Sequence, residues 1–274
     1  MKSKRRYFVA SAAALVLLAA AAVCFAYTMP QPNDFIDVSK RTEVDCKKVM
    51  QGRTMVALAF GQSNSANHSE SPFKPKKNVY NFYEGKCYVA EDPMLGATGE
   101  KGSVWSRLGE KLIDRGMYDN VLFVTIGVGG TEVKRWTHGG DLHLRIDDVL
   151  RQLKKKNIKI THMFWHQGEA DKNLKTTKDD YKKMFIAMLD DIRKKGVEAP
   201  IYVSVATRCG GGEPSYEIQQ AQKELVNTEL KIFPGPDTDQ LASLDDRNDA
   251  CHFSNAGLDK HSEMWVRTIK FSGQ

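Results

Sequence analysis

Met55-Val56-Ala57-Leu58-Ala59-Phe60-Gly61-Gln62-Ser63-Asn64 carries the reading of this chain. Six consecutive apolar residues suit a strand buried on both faces, and the glycine after them permits a sharp turn. Three runs of the same kind follow, Val121 to Ile126, Ile158 to Trp165 and Ile201 to Ala206, all rich in β-branched and aromatic residues. Helical patterns lie between them. Tyr181, Met184, Phe185, Met188, Leu189 and Ile192 recur at helical spacing, with Thr177 and Asp180 suited to cap the start and Gly196 the end. Leu142, Ile146, Val149, Leu150 and Leu153 make a similar face before the third run. Strands alternating with helices predict an α/β fold, a central parallel sheet with helices on both sides. The stretch from His68 to about Ser103 shows no regular pattern and reads as a long surface excursion pinned by Cys87.

The N-terminus stands apart from this pattern. Lys2, Lys4, Arg5 and Arg6 precede a nineteen-residue apolar run, Phe8 to Ala26, which reads as an export signal to a periplasmic or extracellular location. Cleavage after Ala26 would put Cys24 three residues before the cut, and the run is also close to the roughly 20 residues of a membrane span. Residues 1–26 are therefore either a signal peptide or a retained signal anchor. Residues 27–45, with Pro30 and Pro32, read as a linker or N-terminal tail, and residues 46–274 as one domain.

The formal charge of +6 includes those four basic residues, so the exported part carries about +2, too little to imply a polyanion. No nucleic-acid partner is expected, and membrane contact only through the N-terminal segment if it is uncleaved. Setting Cys24 aside leaves four cysteines, and an even number in an exported chain implies two disulfides. Three pairings are possible; position along the chain favours Cys46 with Cys87 and Cys209 with Cys251.

Parallel sheets place their sites at the carboxyl ends of the strands. After the first strand, Ser63 would open a helix whose dipole and N–H groups face an oxyanion, although a plain N-cap explains an isolated Gly-x-Ser equally well. After the second come Gly127, Gly129, Gly130 and Thr131, then Arg135 and Trp136, where glycine backbone could approach a ligand closely. After the third comes Trp165-His166-Gln167-Gly168-Glu169-Ala170-Asp171, in which Gln167 could donate to an oxyanion. His166, Glu169 and Asp171 lack a further partner at metal-ligand spacing, so no metal is expected. Near the C-terminus, Asp249 lies three residues before His252 and could hold its tautomer, leaving the other ring nitrogen for a serine.

Four motifs in this order, GQSN at 61–64, GGT at 129–131 followed by Trp136, WHQGEAD at 165–171 and the Asp249–His252 pair, resemble the sialate O-acetylesterase-like branch of the SGNH hydrolases. The segment Asp92 to Trp105, with Gly96-Ala97-Thr98-Gly99, is similar to that family too. The resemblance implies a flavodoxin-like three-layer α/β/α fold, hydrolysis of acetyl esters on carbohydrate and no cofactor. It implies Ser63 as nucleophile, His252 as general base and Asp249 as the orienting acid, although related enzymes manage with a Ser–His pair. The implied oxyanion donors are the Ser63 N–H, an N–H at Gly129 or Gly130, and the Gln167 amide. Arg135, Trp136 and Arg208 are expected around the substrate, an acetylated carbohydrate such as O-acetylated sialic acid. Glu169 joins them there, or with Asp171 buttresses the Gln167 loop. Two rivals stand beside this reading: an exported lipid esterase or thioesterase, and a catalytically silent carbohydrate-binding protein.

Overall fold

The run quoted above becomes strand β2 (Thr54–Gly61), and every residue from Met55 onward is buried. In this computed structural model, which describes residues 37–210 and 212–272, β2 pairs in parallel with β5 (Asn120–Thr125) on one side and β6 (His162–His166) on the other. The expected export segment and most of the expected linker lie outside the described residues. The remaining strands are β1 (Glu43–Val44), β3 (Val79–Tyr83), β4 (Lys86–Val89), β7 (Ile201–Val205) and β8 (Ile232–Asp237). Their order across the single sheet is β1-β4-β3-β5-β2-β6-β7-β8, with β1–β4 and β3–β4 antiparallel and the rest parallel. Glu43 and Val44 therefore join the sheet, inside the stretch read as linker.

The helices are α1 (Cys46–Val49), α2 (Val104–Asp114), α3 (His143–Lys155), α4 (Glu169–Leu174), α5 (Lys178–Lys194), α6 (Tyr216–Glu224) and α7 (Asn255–Ser272). Alternation along β2 sorts them into two layers. Met55, Ala57 and Ala59 join Val104, Trp105, Leu108 and Leu112 of α2 and Trp265, Val266 and Ile269 of α7 in one buried cluster. Phe60 faces the other way, where its ring meets Trp136 and Trp165, and Trp165 meets Phe185 of α5. α3 packs beside α5 through His143 and Asp191. The expected three-layer arrangement with a central, mostly parallel sheet is present.

Two differences from the sequence reading have clear causes. The third strand begins at His162 rather than Ile158, because Ile158 closes α3 instead. Its N–H bonds back to Leu153 while Asn157, at φ 55°, bonds to Lys154, the pattern of a Schellman cap. The stretch from His68 to Ser103 is not an irregular surface excursion but contains the β3–β4 hairpin, and Val79, Phe82, Ala90, Met94, Leu95 and Ala97 are buried. Its turn is Glu84-Gly85, with φ of 48° and 75°, the two positive values that a two-residue hairpin turn demands. α5 follows its predicted bounds, with Thr177 Oγ1 accepting from Asp180 N–H and Gly196 at positive φ past its end.

Two disulfides tie loops to this frame, Cys46–Cys87 between α1 and β4, and Cys209–Cys251 between the loops after β7 and before α7. Among the described residues no helix is long and apolar enough to cross a membrane. Replacing Cys209 and Cys251 together by serine should lower unfolding free energy by about 2–5 kcal/mol. A guanidinium unfolding midpoint unchanged from wild type would contradict that.

Candidate active site

Gly61 ends β2 at φ 125°, and a methyl group there would lie 2.1 Å from the His166 carbonyl oxygen. Only glycine fits so close to β6 in that conformation, so the chain turns sharply into Gln62 and Ser63. The residues after Ser63 form a single 3₁₀ turn, Ser63–Ser65, and not the helix expected from the sequence. So short a turn has no useful macrodipole, and local N–H groups must act alone. Side chains hold the turn from every side. Ser65 Oγ donates to Phe60 O at 3.0 Å, Trp105 Nε1 to Ser65 O at 2.8 Å, and Asn67 Nδ2 to Met94 O at 2.9 Å and Ala97 O at 3.1 Å. No described group bonds to the Ser63 hydroxyl or to its N–H, and the residue is 5% exposed.

His252 sits in the loop before α7 with its Nδ1 2.8 Å from Asp249 Oδ2, while Asp249 Oδ1 accepts the His252 and Cys251 backbone N–H groups at 2.7 and 3.1 Å. Burial alone would raise the Asp249 carboxyl, but the hydrogen bonds from His252 outweigh it and hold the carboxyl below its ordinary value. A proton on Nδ1 leaves the Nε2 lone pair available as a base. The loop is fastened to the turn below it. Asn64 Nδ2 donates to Cys251 O at 3.3 Å, and buried Arg247 donates to Cys251 O, to Leu241 O at 2.8 Å and to Thr238 O at 2.8 Å.

Sequence reasoning passed over His68. Its ring stacks on His252 with centroids 5.4 Å apart, and its Nε2 lies 3.1 Å from Thr98 Oγ1, which also accepts the Gly129 N–H at 2.9 Å. A methyl at Gly129 would come within 3.0 Å of His68 Nε2 and 3.6 Å of Ser63 Cβ, so these residues share one small space. The Thr98 hydroxyl accepts from Gly129 and keeps both a second lone pair and its own proton for His68 Nε2, so the ring's tautomer sets the direction of that bond. Burial first, and then the charges of His252 and Lys101, push His68 down to about 4. A signal for it existed, since His68 follows five residues after Ser63 in the same loop.

Several expected roles change. With the Gly129 N–H committed to Thr98, Gly130 is the member of that pair whose N–H has no described partner. Gln167 is fully buried and its Nε2 donates to Asp171 Oδ2 and to Thr131 O, so its amide is taken up inside the loop and does not face Ser63. Asp171 also accepts the Val133 N–H at 2.9 Å, and so locks the loop after β6 to the loop after β5. Glu169 is buried and accepts from Asn64 Nδ2 at 2.9 Å, which joins it to the turn that carries Ser63. Trp136 is fully buried against Phe60 and Trp165 and offers no ring face to a sugar. Arg135 is held bidentate by Asp141 at 2.9 and 2.6 Å. Arg208 remains, bonded through its backbone N–H and Nε to Asp239, with no described partner on its terminal nitrogens and the Cys209–Cys251 disulfide linking it to the His252 loop.

A family described as carbohydrate esterase, sialic acid-specific acetylesterase, matches residues 53–270. No curated protein sequence matches the chain. Among solved structures, a protein from Arabidopsis thaliana is 17% identical with a TM-score of 0.62, over 80% of this chain and 98% of that one. NanS is 14% identical with a TM-score of 0.51, over 80% and 97% of the two chains. A carbohydrate acetylesterase from Xanthomonas citri is 15% identical with a TM-score of 0.50, over 80% of this chain and 57% of that one. At these identities the likeness establishes the fold.

His68 should titrate near pH 4 in NMR spectra of the folded protein, against about 6.5 for an imidazole in water. Because the folded value lies below the unfolded one, this group's contribution to stability is complete above about pH 6.5 and is lost as the pH falls toward 4. A His68 resonance titrating near 6.5 would show that the ring is neither buried nor paired as described.

Proposed function

Because the chain belongs to the carbohydrate esterase family of sialic acid-specific acetylesterases, and is thus a carboxylic ester hydrolase, we propose that it removes O-acetyl groups through an acetyl-enzyme on Ser63. The observation that carries this reading is the Asp249–His252 pair, fastened by Asn64 to the turn that presents Ser63. His252 Nε2 takes the proton of Ser63 Oγ as that oxygen bonds to the acetyl carbonyl carbon. The resulting oxyanion accepts from the Ser63 and Gly130 N–H groups. Collapse breaks the bond to the sugar oxygen, which receives the proton from His252. Water then repeats the sequence and releases acetate. Asp249 holds the ring orientation and stabilises the imidazolium. Gln167 acts through loop shape, since its amide spans Asp171 and Thr131.

The reading extends to an acidic sugar, O-acetylated sialic acid, and to an exported enzyme. Support for the acidic sugar comes from Arg208, whose planar guanidinium suits a carboxylate, and for export from the two disulfides, which persist in oxidising compartments.

Ser63→Ala should lower acetate release from an acetylated sugar by on the order of 10³ or more with the far-ultraviolet spectrum unchanged, and His252→Ala should do comparable damage. Asp249→Asn should cost less if serine and histidine suffice as a pair. A Ser63→Ala enzyme that retained a tenth of its turnover would refute the nucleophile assignment.

Substrate choice has its own test. Arg208→Ala should reduce kcat/KM on O-acetyl sialic acid by about tenfold or more and leave a neutral acetylated sugar unaffected, the scale of one charge-assisted hydrogen bond. Arg135→Ala should change neither, because that side chain is committed to Asp141. Equal losses on both sugars in the Arg208 variant would reject carboxylate recognition there.

A further inference from the structure

We propose that His138, His143 and Asp191, with Asp147 as a fourth ligand, form a site for one zinc-class divalent cation that pins the loop after β5 to the end of α5. One ligand atom from each of the first three lies within 4.8 Å of the others, and no other such group of three occurs among the described residues. The sequence led to no metal being expected at His166, Glu169 and Asp171, which are a different set of residues from this group. A tetrahedral zinc with ligands at about 2.0–2.2 Å needs ligand atoms roughly 3.3–3.6 Å apart. His138 is exposed, so its ring can rotate to close that gap without disturbing the core.

The decisive detail is His143, which is buried at the start of α3. Its Nδ1 lies 3.2 Å from the Trp136 carbonyl oxygen, which can only accept, so the ring hydrogen sits there. A backbone carbonyl holding the far nitrogen is the outer-shell arrangement that orients metal-bound imidazoles. The lone pair of Nε2 then faces Asp191 Oδ2 at 2.7 Å and Asp147 Oδ1 at 3.4 Å. Lone pairs that close repel unless a positive charge lies between them, either a second ring proton or a bound cation. The Lys195 ammonium already reaches in, 3.1 Å from His143 Nε2 and 2.8 Å from Asp147 Oδ1, and it contacts Asp191. A divalent cation would therefore have to displace this ammonium from between the two carboxylates. Two nitrogens and two carboxylate oxygens suit zinc better than calcium or magnesium, which take oxygen ligands. His138 lies in the same connection as Gly129 and Gly130, so the ion would stiffen the loop that lines the Ser63 turn.

Full-length protein stripped with a chelator is titrated with zinc chloride by calorimetry, and loaded separately with cobalt for its visible spectrum. Wild type should bind one zinc per chain and show the intense visible bands of tetrahedral cobalt. His138→Ala and Asp191→Asn should each weaken zinc binding about 10–100-fold. Lys195→Met, which removes the competing ammonium, should tighten it by a similar factor. Zinc binding unchanged in His138→Ala, or no binding by either wild type or Lys195→Met, overturns the proposal. Far-ultraviolet spectra of the metal-free variants verify that each is folded.

Discussion

A chain leaving β2 at Gly61 has to reverse direction within contact of the His166 backbone, and the rest of the site depends on how that turn is held. Even a methyl side chain cannot occupy the position, so the turn that follows the strand depends on this glycine. Gln62 N–H bonds to His166 O at 3.0 Å, so the first residue after the glycine is already fixed to the neighbouring strand. Trp105 from α2, Asn67 from the turn itself and Glu169 through Asn64 supply the remaining restraints. Three separate segments therefore agree on one geometry, which places the hydroxyl at the carboxyl end of the sheet before any ligand arrives.

Rigidity in this region comes from buried polar bonds more than from apolar packing. Gln62 Oε1 accepts from Ala170 N–H at 3.0 Å, Tyr181 Oη donates to Gln167 O at 3.1 Å, and Gln222 Nε2 donates to the same oxygen at 2.8 Å. Trp165 Nε1 in turn donates to Tyr181 Oη at 3.1 Å, and burial raises the Tyr181 phenol so that it stays neutral. Each unmade bond here would cost about 1–3 kcal/mol, so such a network tolerates one arrangement and penalises others. The WHQGEAD stretch thus braces the loops from behind, while Ser63, His68, Gly130 and His252 make up the face where the proposed reaction would take place.

Much of the architecture was legible from residue pattern. Four of the parallel strands, β2, β5, β6 and β7, could be seen because strands buried on both faces read as unbroken apolar runs, and α5 because its cap residues and its apolar stripe coincide. The β3–β4 hairpin was harder, since Asn81, Tyr83 and Lys86 break the apolar run and Glu84-Gly85 is a weak turn signal without knowledge of its dihedrals. β1 has two residues and β8 contains Pro234 and Pro236, which an edge strand tolerates and a pattern search rejects.

For the site, residue type and order alone determined that a serine turn, a glycine pair, a glutamine loop and an Asp–His pair would gather at one end of a sheet. That follows from topology, because consecutive parallel strands must all present their following loops on the same side. What only the tertiary structure decided is which polar atoms still face outward. Gln167, Glu169, Trp136 and Arg135 looked available in sequence, yet the first three are taken up by neighbours from other segments and Arg135 by Asp141 in its own loop, whereas His68 and Arg208 gain significance from neighbours far along the chain. Hydrogen-bond capacity is finite, and which partner takes it depends on distances of a few ångströms between segments that sequence spacing does not encode.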